Sequence, residues 1–221
     1  TVASAQQVPF FGPMAGSPTL RRPHQPMVFP VRAEHREEFR ALMTWGKRIG
    51  LRTVGFFQAD SATGREHLDN IKPIAKELGL ELVLPLPFKS DTSDAQLDAM
   101  VKQSEATRPD MVFNHGSADL YARLITKARQ AGLKTSFMAV NSGSSQMAKR
   151  LGPLSAGMVF TQVVPSPWER KHEISREYQD ALHRYLPDVE PSYGGLEGYI
   201  TAKLLVSALR SAGRELSRAT L

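Results

Sequence analysis

The chain has 221 residues, of which 41% are hydrophobic and 23% charged, and a formal net charge of +6. This length suffices for one large or two small domains with their own cores. The absence of cysteine excludes a disulfide framework, a thiol nucleophile and a cysteine-ligated zinc site. The Lys and Arg residues occur singly or in pairs, which favours a solvated positive surface over a nucleic-acid or anionic-membrane binding stripe. No apolar run approaches the ~18–20 residues that a membrane span requires.

Short apolar runs alternate with amphipathic stretches between residues 34 and 163. The runs at residues 53–57, 80–85, 111–114, 136–140 and 158–163 are typical of strands buried on both faces. Helical spacing of apolar residues predicts helices over 34–49, 64–78 (with a kink at Pro73), 94–107 and 118–131. This alternation predicts a doubly wound parallel sheet with helices on both faces. In such sheets a ligand binds beyond the carboxyl ends of the strands.

The two flanks of this block contain fewer strand patterns. Residues 1–33 contain short apolar runs at 8–11 and 27–29 around a loop rich in Gly, Pro and Ser. Residues 164–221 contain two helical patterns, at 168–186 and 194–212. Such a set of elements cannot form a covered sheet alone. We therefore expect the flanks to form one further lobe that is only partly present in the chain.

A series of segments resembles one known family. They are Val8-Pro-Phe-Phe-Gly-Pro-Met-Ala-Gly-Ser-Pro-Thr-Leu20, Phe29-Pro-Val-Arg32, Val54-Gly-Phe-Phe-Gln-Ala-Asp-Ser-Ala-Thr-Gly64, Arg108-Pro-Asp-Met-Val112, Ala131-Gly-Leu-Lys-Thr135, Gly157-Met-Val-Phe-Thr-Gln-Val-Val-Pro165 and Leu196-Glu-Gly-Tyr199. In their order and spacing they resemble the leucine/isoleucine/valine-binding-protein family, the type 1 periplasmic solute-binding proteins of ABC transporters.

The resemblance implies an α/β fold of two Rossmann-like lobes that close by a hinge motion on a small solute. We expect residues 1–33 and 164–221 to be parts of the N-lobe, and residues 34–163 to be a complete C-lobe. The resemblance also implies a monomeric protein without cofactor or metal, which delivers its ligand to a membrane permease and binds no nucleic acid. It implies a signal peptide in the precursor and a periplasmic location, or a lipid-anchored extracytoplasmic one in a Gram-positive organism.

In the N-lobe, the family's ligand loop aligns with Ala15, Gly16 and Ser17. Small residues there allow backbone N–H and C=O groups to approach a polar solute. In amino-acid binders this loop also supplies a hydroxyl group to the ligand's ammonium group, and the aligned position is Gly16, beside Ser17. Tyr193, at the start of the last long helix, is expected to form an aromatic wall or simply to pack at the helix entry.

In the C-lobe, loops after three predicted strands place Thr63, His115, Ser117 and Asn141 toward the solute. The family's amino-acid binders carry an acidic residue at the position of Asn141, where it neutralises the ligand's ammonium group. Because burying an unpaired ammonium group costs several kcal/mol, a neutral residue there disfavours an ordinary α-amino acid. The expected solute is a carboxylate, an amide or an amino-acid-like compound, with a carboxylic acid lacking an ammonium group favoured.

Two alternatives remain open at this point. A sensor or receptor domain would share the fold and pass the binding signal to another protein. A doubly wound enzyme is the more distant alternative, because no HExxH, GxSxG, P-loop or GxGxxG pattern occurs in the sequence. No catalytic residue is therefore predicted.

Overall fold

The computed structural model describes residues 2–140, 144–214 and 217. Apart from two short 3-10 turns, its elements in chain order are α1 (Val2–Gln6), β1 (Phe10–Phe11), β2 (Val28–Phe29), α2 (His35–Arg48), β3 (Thr53–Ala59), α3 (Ala62–Leu78), β4 (Glu81–Phe88), α4 (Asp94–Thr107), β5 (Met111–His115), α5 (Ala118–Gln130), β6 (Ser136–Ala139), α6 (Ser144–Leu151), β7 (Val159–Phe160), α7 (Glu173–Tyr185) and α8 (Tyr193–Ala212).

The chain divides into two compact units. The central unit is Arg36–Thr161, and the flanking unit combines Thr1–His35 with Gln162–Leu221. The assignment of these units to a C-lobe and an N-lobe remains a proposal based on the family resemblance.

The central unit is built on a five-stranded parallel sheet with the order β4-β3-β5-β6-β7. Side chains on one face, including Phe57 and Leu86, pack into one apolar cluster with residues of α4 and α5. Side chains on the other face, including Phe56 and Phe113, pack into a second cluster with residues of α2 and α3. The predicted doubly wound parallel sheet is thus confirmed, with the three inner strands β3, β5 and β6 buried by helices on both faces.

Serine residues cap three helices of the central unit where strand-to-helix loops end. Ser61 accepts a hydrogen bond from the N–H of Gly64, and Ser117 accepts one from the N–H of Leu120. Ser93 forms a capping box at the start of α4. These caps fix the helix starts because they satisfy N–H groups that have no acceptor inside the helix.

Pro73 lies inside the single helix α3, as the predicted helix over 64–78 required. Three other elements differ from the sequence-based expectation. The helix α6 was not predicted, because eight residues with Met147 and Leu151 buried are too few to show a helical period. The strand β7 has two residues, since it lies at the sheet edge and pairs with β6 alone. The helix α7 begins at Glu173 rather than at residue 168, because the preceding segment folds back and its carbonyl groups accept hydrogen bonds from Ser175 and Gln179.

The flanking unit contains the short parallel pair of β1 and β2 and the helices α1, α7 and α8. Among its described residues, the buried apolar side chains are those of Val28, Tyr178 and Leu196 and of three prolines, Pro13, Pro18 and Pro167. Polar contacts connect its distant segments. Arg32 forms a bidentate ion pair with Glu197, with Nε–Oε1 and Nη2–Oε2 distances of 2.6 and 2.7 Å.

Candidate functional site

The carboxyl edge of the central sheet carries two loops that lie side by side. The strands β3 and β5 are parallel neighbours, and Gln58 is opposite His115 in their register. The loop after β3 leads into α3, and the loop after β5 leads into α5. Thr63, His115 and Ser117 therefore lie at one edge of one sheet, the edge at which ligands of parallel sheets bind, and their contact with a solute stays a prediction.

Thr63 lies in the first turn of α3, and its side chain is exposed. The next residue, Gly64, is buried because the start of α3 lies directly against β3. A Cβ atom at Gly64 would lie 1.8 Å from the carbonyl oxygen of Ala59, which no side chain can occupy. Gly64 therefore determines how closely α3 approaches the sheet, and with it the place of the Thr63 hydroxyl group.

His115 ends β5, and its ring packs against two aromatic neighbours. The ring centroids of His115 and His67 are 3.6 Å apart, and the centroid of Phe39 is 6.4 Å from that of His115. His67 is 1% exposed. The imidazole of His115 thus packs with residues of α2 and α3, and its contact with a solute stays a prediction.

Ser117 caps the start of α5, and this structural role is compatible with the predicted contact with a solute. Its hydroxyl oxygen accepts a hydrogen bond of 3.2 Å from the N–H of Leu120 at the start of α5. The hydroxyl hydrogen is still available as a donor. Asp119, in the first turn of α5, pairs with Arg150.

Asn141 lies outside the described residues. Val140, which precedes it, follows β6 and is buried. The predicted role of Asn141 therefore rests on the sequence alone.

In the flanking unit, Ala15, Gly16 and Ser17 form one loop whose middle residue is closely packed. The carbonyl oxygen of Gly16 accepts a hydrogen bond of 2.9 Å from the N–H of His35. A Cβ atom at Gly16 would lie 2.6 Å from Nδ1 of His35, so that a side chain here would displace the loop. The Ser17 hydroxyl group forms a 2.8 Å hydrogen bond with the hydroxyl group of Thr19.

Arg21 binds the same loop, although no local pattern in the sequence indicated this contact. Its Nη1 donates to the carbonyl oxygens of Ser17 at 3.0 Å and Ala15 at 3.4 Å, and its Nη2 donates to that of Arg32. Desolvation by burial lowers the pKa of Arg21, while the nearby Glu34 carboxylate opposes this shift. The guanidinium group nonetheless stays charged at neutral pH.

Tyr193 is the first residue of α8 and packs edge-to-face against Trp168. Their ring centroids are 5.2 Å apart, with an interplanar angle of 90°. Trp168 is 53% exposed. The structure therefore adds a second aromatic side chain beside Tyr193 that the sequence analysis did not single out, since it lies 25 residues away along the chain.

Glu197, by contrast, has a structural role. Its carboxylate is buried in the ion pair with Arg32 and connects α8 to the segment after β2.

The opposite, amino-terminal edge of the central sheet borders a cavity of about 490 Å³. Its lining includes Arg108, Asp110 and Lys134, which precede strands rather than follow them. The cavity therefore belongs to the edge at which ligands of parallel sheets do not usually bind. Within residues 2–140, 144–214 and 217, no cluster of three or more His, Asp and Glu side chains is arranged to hold a metal ion. No helix in the same part of the chain has the length and apolarity needed to cross a membrane.

Comparison with known proteins bears on both units. The structure is similar to that of a possible leucine/isoleucine/valine-binding protein from Rhodopirellula baltica SH 1, with a TM-score of 0.85 and 29% identity over 99% of this chain and 60% of that one. A leucine binding protein from Thermotoga maritima gives a TM-score of 0.84 at 19% identity, over 99% of this chain and 61% of that one. A fatty acid ABC transporter substrate-binding protein from Thermomonospora curvata gives 0.76 at 20% identity, over 96% and 54%.

The chain thus spans 54–61% of the length of these solved relatives. The comparison with curated proteins gave no match. The family model described as periplasmic binding protein matches residues 1–221. The parallel sheet, the loops at its carboxyl edge and this match over the whole chain lead to one conclusion: the chain belongs to the periplasmic binding protein family, and its fold is of the leucine/isoleucine/valine-binding type.

Proposed function

We propose that the protein is the substrate-binding component of an ABC transporter and captures a small organic acid that lacks an ammonium group. The observation that carries the proposal is the family match over residues 1–221. The solute would contact the loops of Thr63, His115, Ser117 and Asn141 and the loop 15–17, with Tyr193 as an aromatic wall. Closure of the two lobes on the solute, followed by delivery to a membrane permease, is the mechanism that the family resemblance implies. The proposed location is extracytoplasmic.

The chemistry of the central edge supports an anionic group on the solute. The helices α3 and α5 begin at this edge, and the N-terminus of a helix favours negative charge through its free N–H groups and its dipole. Thr63 and Ser117 add hydroxyl groups, each with a hydrogen to donate. A carboxylate needs such donors, whereas an ammonium group needs acceptors.

The proposal that the solute lacks an ammonium group depends on Asn141. Without a carboxylate at this position, a buried ammonium group would keep an unbalanced charge, which costs several kcal/mol. The fold leaves the choice open, since one solved relative is named as a leucine binding protein and another as a fatty acid ABC transporter substrate-binding protein.

The test is a thermal-shift and calorimetric comparison of matched solutes with the full-length protein. Leucine and 4-methyl-2-oxopentanoate share a carboxylate and an isobutyl group and differ in the ammonium group, and benzoate and octanoate extend the set. A ligand at 100 times its Kd adds ~2.7 kcal/mol to the stability, which is measured as a rise in the melting temperature. We expect the acids without an ammonium group to stabilise the protein more than leucine does.

The variant Asn141→Asp sharpens this test. It is expected to weaken binding of the preferred acid at least tenfold and to improve binding of leucine, because the new carboxylate repels one solute and pairs with the other. Tighter binding of leucine than of all three acids by the wild-type protein would contradict the proposal.

A further inference from the structure

In the loop formed by residues 15–17, the backbone carbonyl groups and the backbone N–H groups differ in their hydrogen bonding. All three of its carbonyl oxygens accept hydrogen bonds within the flanking unit. The carbonyl of Gly16 accepts from His35, that of Ser17 from Arg21 and Leu20, and that of Ala15 from Arg21. The acceptors of this loop are therefore already in use.

The N–H groups of the same three residues have no such partners. In the part of the chain that the structure describes, neither backbone nor side-chain oxygens accept hydrogen bonds from the amides of Ala15, Gly16 and Ser17. Gly16 is buried, and Ala15 and Ser17 are partly buried. Since buried backbone N–H groups are nearly always paired in proteins, the unpaired N–H of the buried Gly16, between two further free donors, indicates a place for an acceptor from outside the chain.

Arg21 is responsible for much of this asymmetry. Its planar guanidinium group presents several donors in a fixed geometry, so that one side chain holds the carbonyls of Ala15 and Ser17 at 3.4 and 3.0 Å. Its other terminal nitrogen donates to the carbonyl of Arg32, and Arg32 is fixed to α8 through the buried ion pair with Glu197. The loop is thus connected through Arg21 to a rigid part of the unit.

We propose that Arg21 is a positioning residue for solute binding, which holds the carbonyls of residues 15–17 in internal hydrogen bonds and leaves their three N–H groups to bind an acceptor group of the solute, such as a carboxylate. This inference rests on the proposed function, since it assigns the loop to the same solute. Arg21 itself does not touch the solute. Loss of its donors would free the carbonyls, and the loop would then offer a mixture of donors and acceptors.

The first experiment needs no ligand. His35 donates to Gly16 and Leu20 donates to Ser17, so that hydrogen exchange of these two amides, followed by NMR on the full-length protein, reports whether the loop is held. In Arg21→Met both amides are expected to exchange at least tenfold faster than in the wild type. The control is Arg210→Met, a change at an exposed arginine of the same unit, and it is expected to leave both rates unchanged.

The second experiment measures affinity by calorimetry for 4-methyl-2-oxopentanoate, benzoate, octanoate and leucine. Arg21→Met is expected to weaken binding of the tightest of these four at least tenfold, while its melting temperature without ligand changes little. Arg21→Lys keeps the charge but not the forked geometry, and it is expected to recover part of the loss.

The outcomes separate the two proposals. Unchanged exchange at His35 and Leu20 in Arg21→Met would overturn the role of Arg21, whichever solute binds. An affinity within twofold of the wild type would overturn it as well. A wild-type protein that binds none of the four solutes would instead contradict the proposed function, and the exchange rates would still decide whether Arg21 holds the loop.

Discussion

Different interactions stabilise the central unit and the flanking unit internally. In the central unit, two apolar clusters cover both faces of a five-stranded sheet. In the flanking unit the sheet has two strands of two residues each, and a buried Arg–Glu pair connects its distant segments. Most of the large exposed apolar side chains also belong to the flanking unit, among them Phe10, Trp168 and Leu204.

This difference predicts which substitutions destabilise each unit most. Apolar burial is spread over many contacts, so the stability of the central unit depends on close packing. A buried ion pair concentrates its effect in two side chains, because loss of one leaves the other charged and unpaired. The two tryptophans allow the units to be followed separately, since Trp45 lies in the central unit and Trp168 in the flanking unit.

The largest effect is expected from Phe113→Ala in the central unit. Phe113 is fully buried and packs edge-to-face against Phe39, with centroids 6.1 Å apart. Removal of the ring should lower the free energy of unfolding by about 4 kcal/mol, since it loses transfer energy and leaves a cavity. Urea unfolding followed by Trp45 fluorescence in a Trp168→Phe background measures this loss.

The matched control for that variant is Phe10→Ala in the flanking unit, where the side chain is 42% exposed. It is expected to change the stability by less than about 0.5 kcal/mol. Equal losses from the two phenylalanine variants would remove the contrast between the units.

A somewhat smaller effect is expected from Arg32→Met in the flanking unit. The change leaves the Glu197 carboxylate buried without its partner, which should cost about 3 kcal/mol. Trp168 fluorescence in a Trp45→Phe background reports the unfolding of this unit. Addition of Glu197→Leu should recover most of the loss, because an apolar pair carries no desolvation cost. A double variant as unstable as Arg32→Met would show that the loss does not come from the unpaired Glu197 carboxylate.

The smallest effect is expected from acidification, acting through Asp110 in the central unit. Burial alone would raise the pKa of Asp110, but hydrogen bonds from the backbone N–H groups of Arg52 and Thr53 outweigh it, and the pKa is lowered. The folded state therefore binds a proton less readily than the unfolded state, whose Asp has a pKa of about 3.9. This stabilisation is present above about pH 4 and is lost as the pH falls through the lower, folded value.

In Asp110→Asn this acid-dependent loss should disappear from the Trp45 signal, while the Trp168 signal keeps the wild-type pH dependence. An unaltered acid profile at Trp45 would exclude Asp110 as the titrating group.

Much of the central unit could be predicted from the sequence, because buried parallel strands appear as short apolar runs and their helices as a regular apolar period. The candidate site could be predicted in part. The strand-end positions of Thr63, His115 and Ser117 follow from that alternation together with the family resemblance. The packing of His67 against His115 could not be predicted, since residues 67 and 115 meet only through the register of β3 and β5.

The sequence by itself determined the fold class, the family and the edge of the sheet at which a solute is expected. These features depend on local patterns and on motif order, both of which are present in the one-dimensional chain. Only the tertiary structure decided that Arg21 holds the loop 15–17, that Trp168 accompanies Tyr193, and that Glu197 pairs with Arg32. The physical reason is that each of these contacts depends on the distance and direction between side chains, which the folded backbone sets and no local periodicity records.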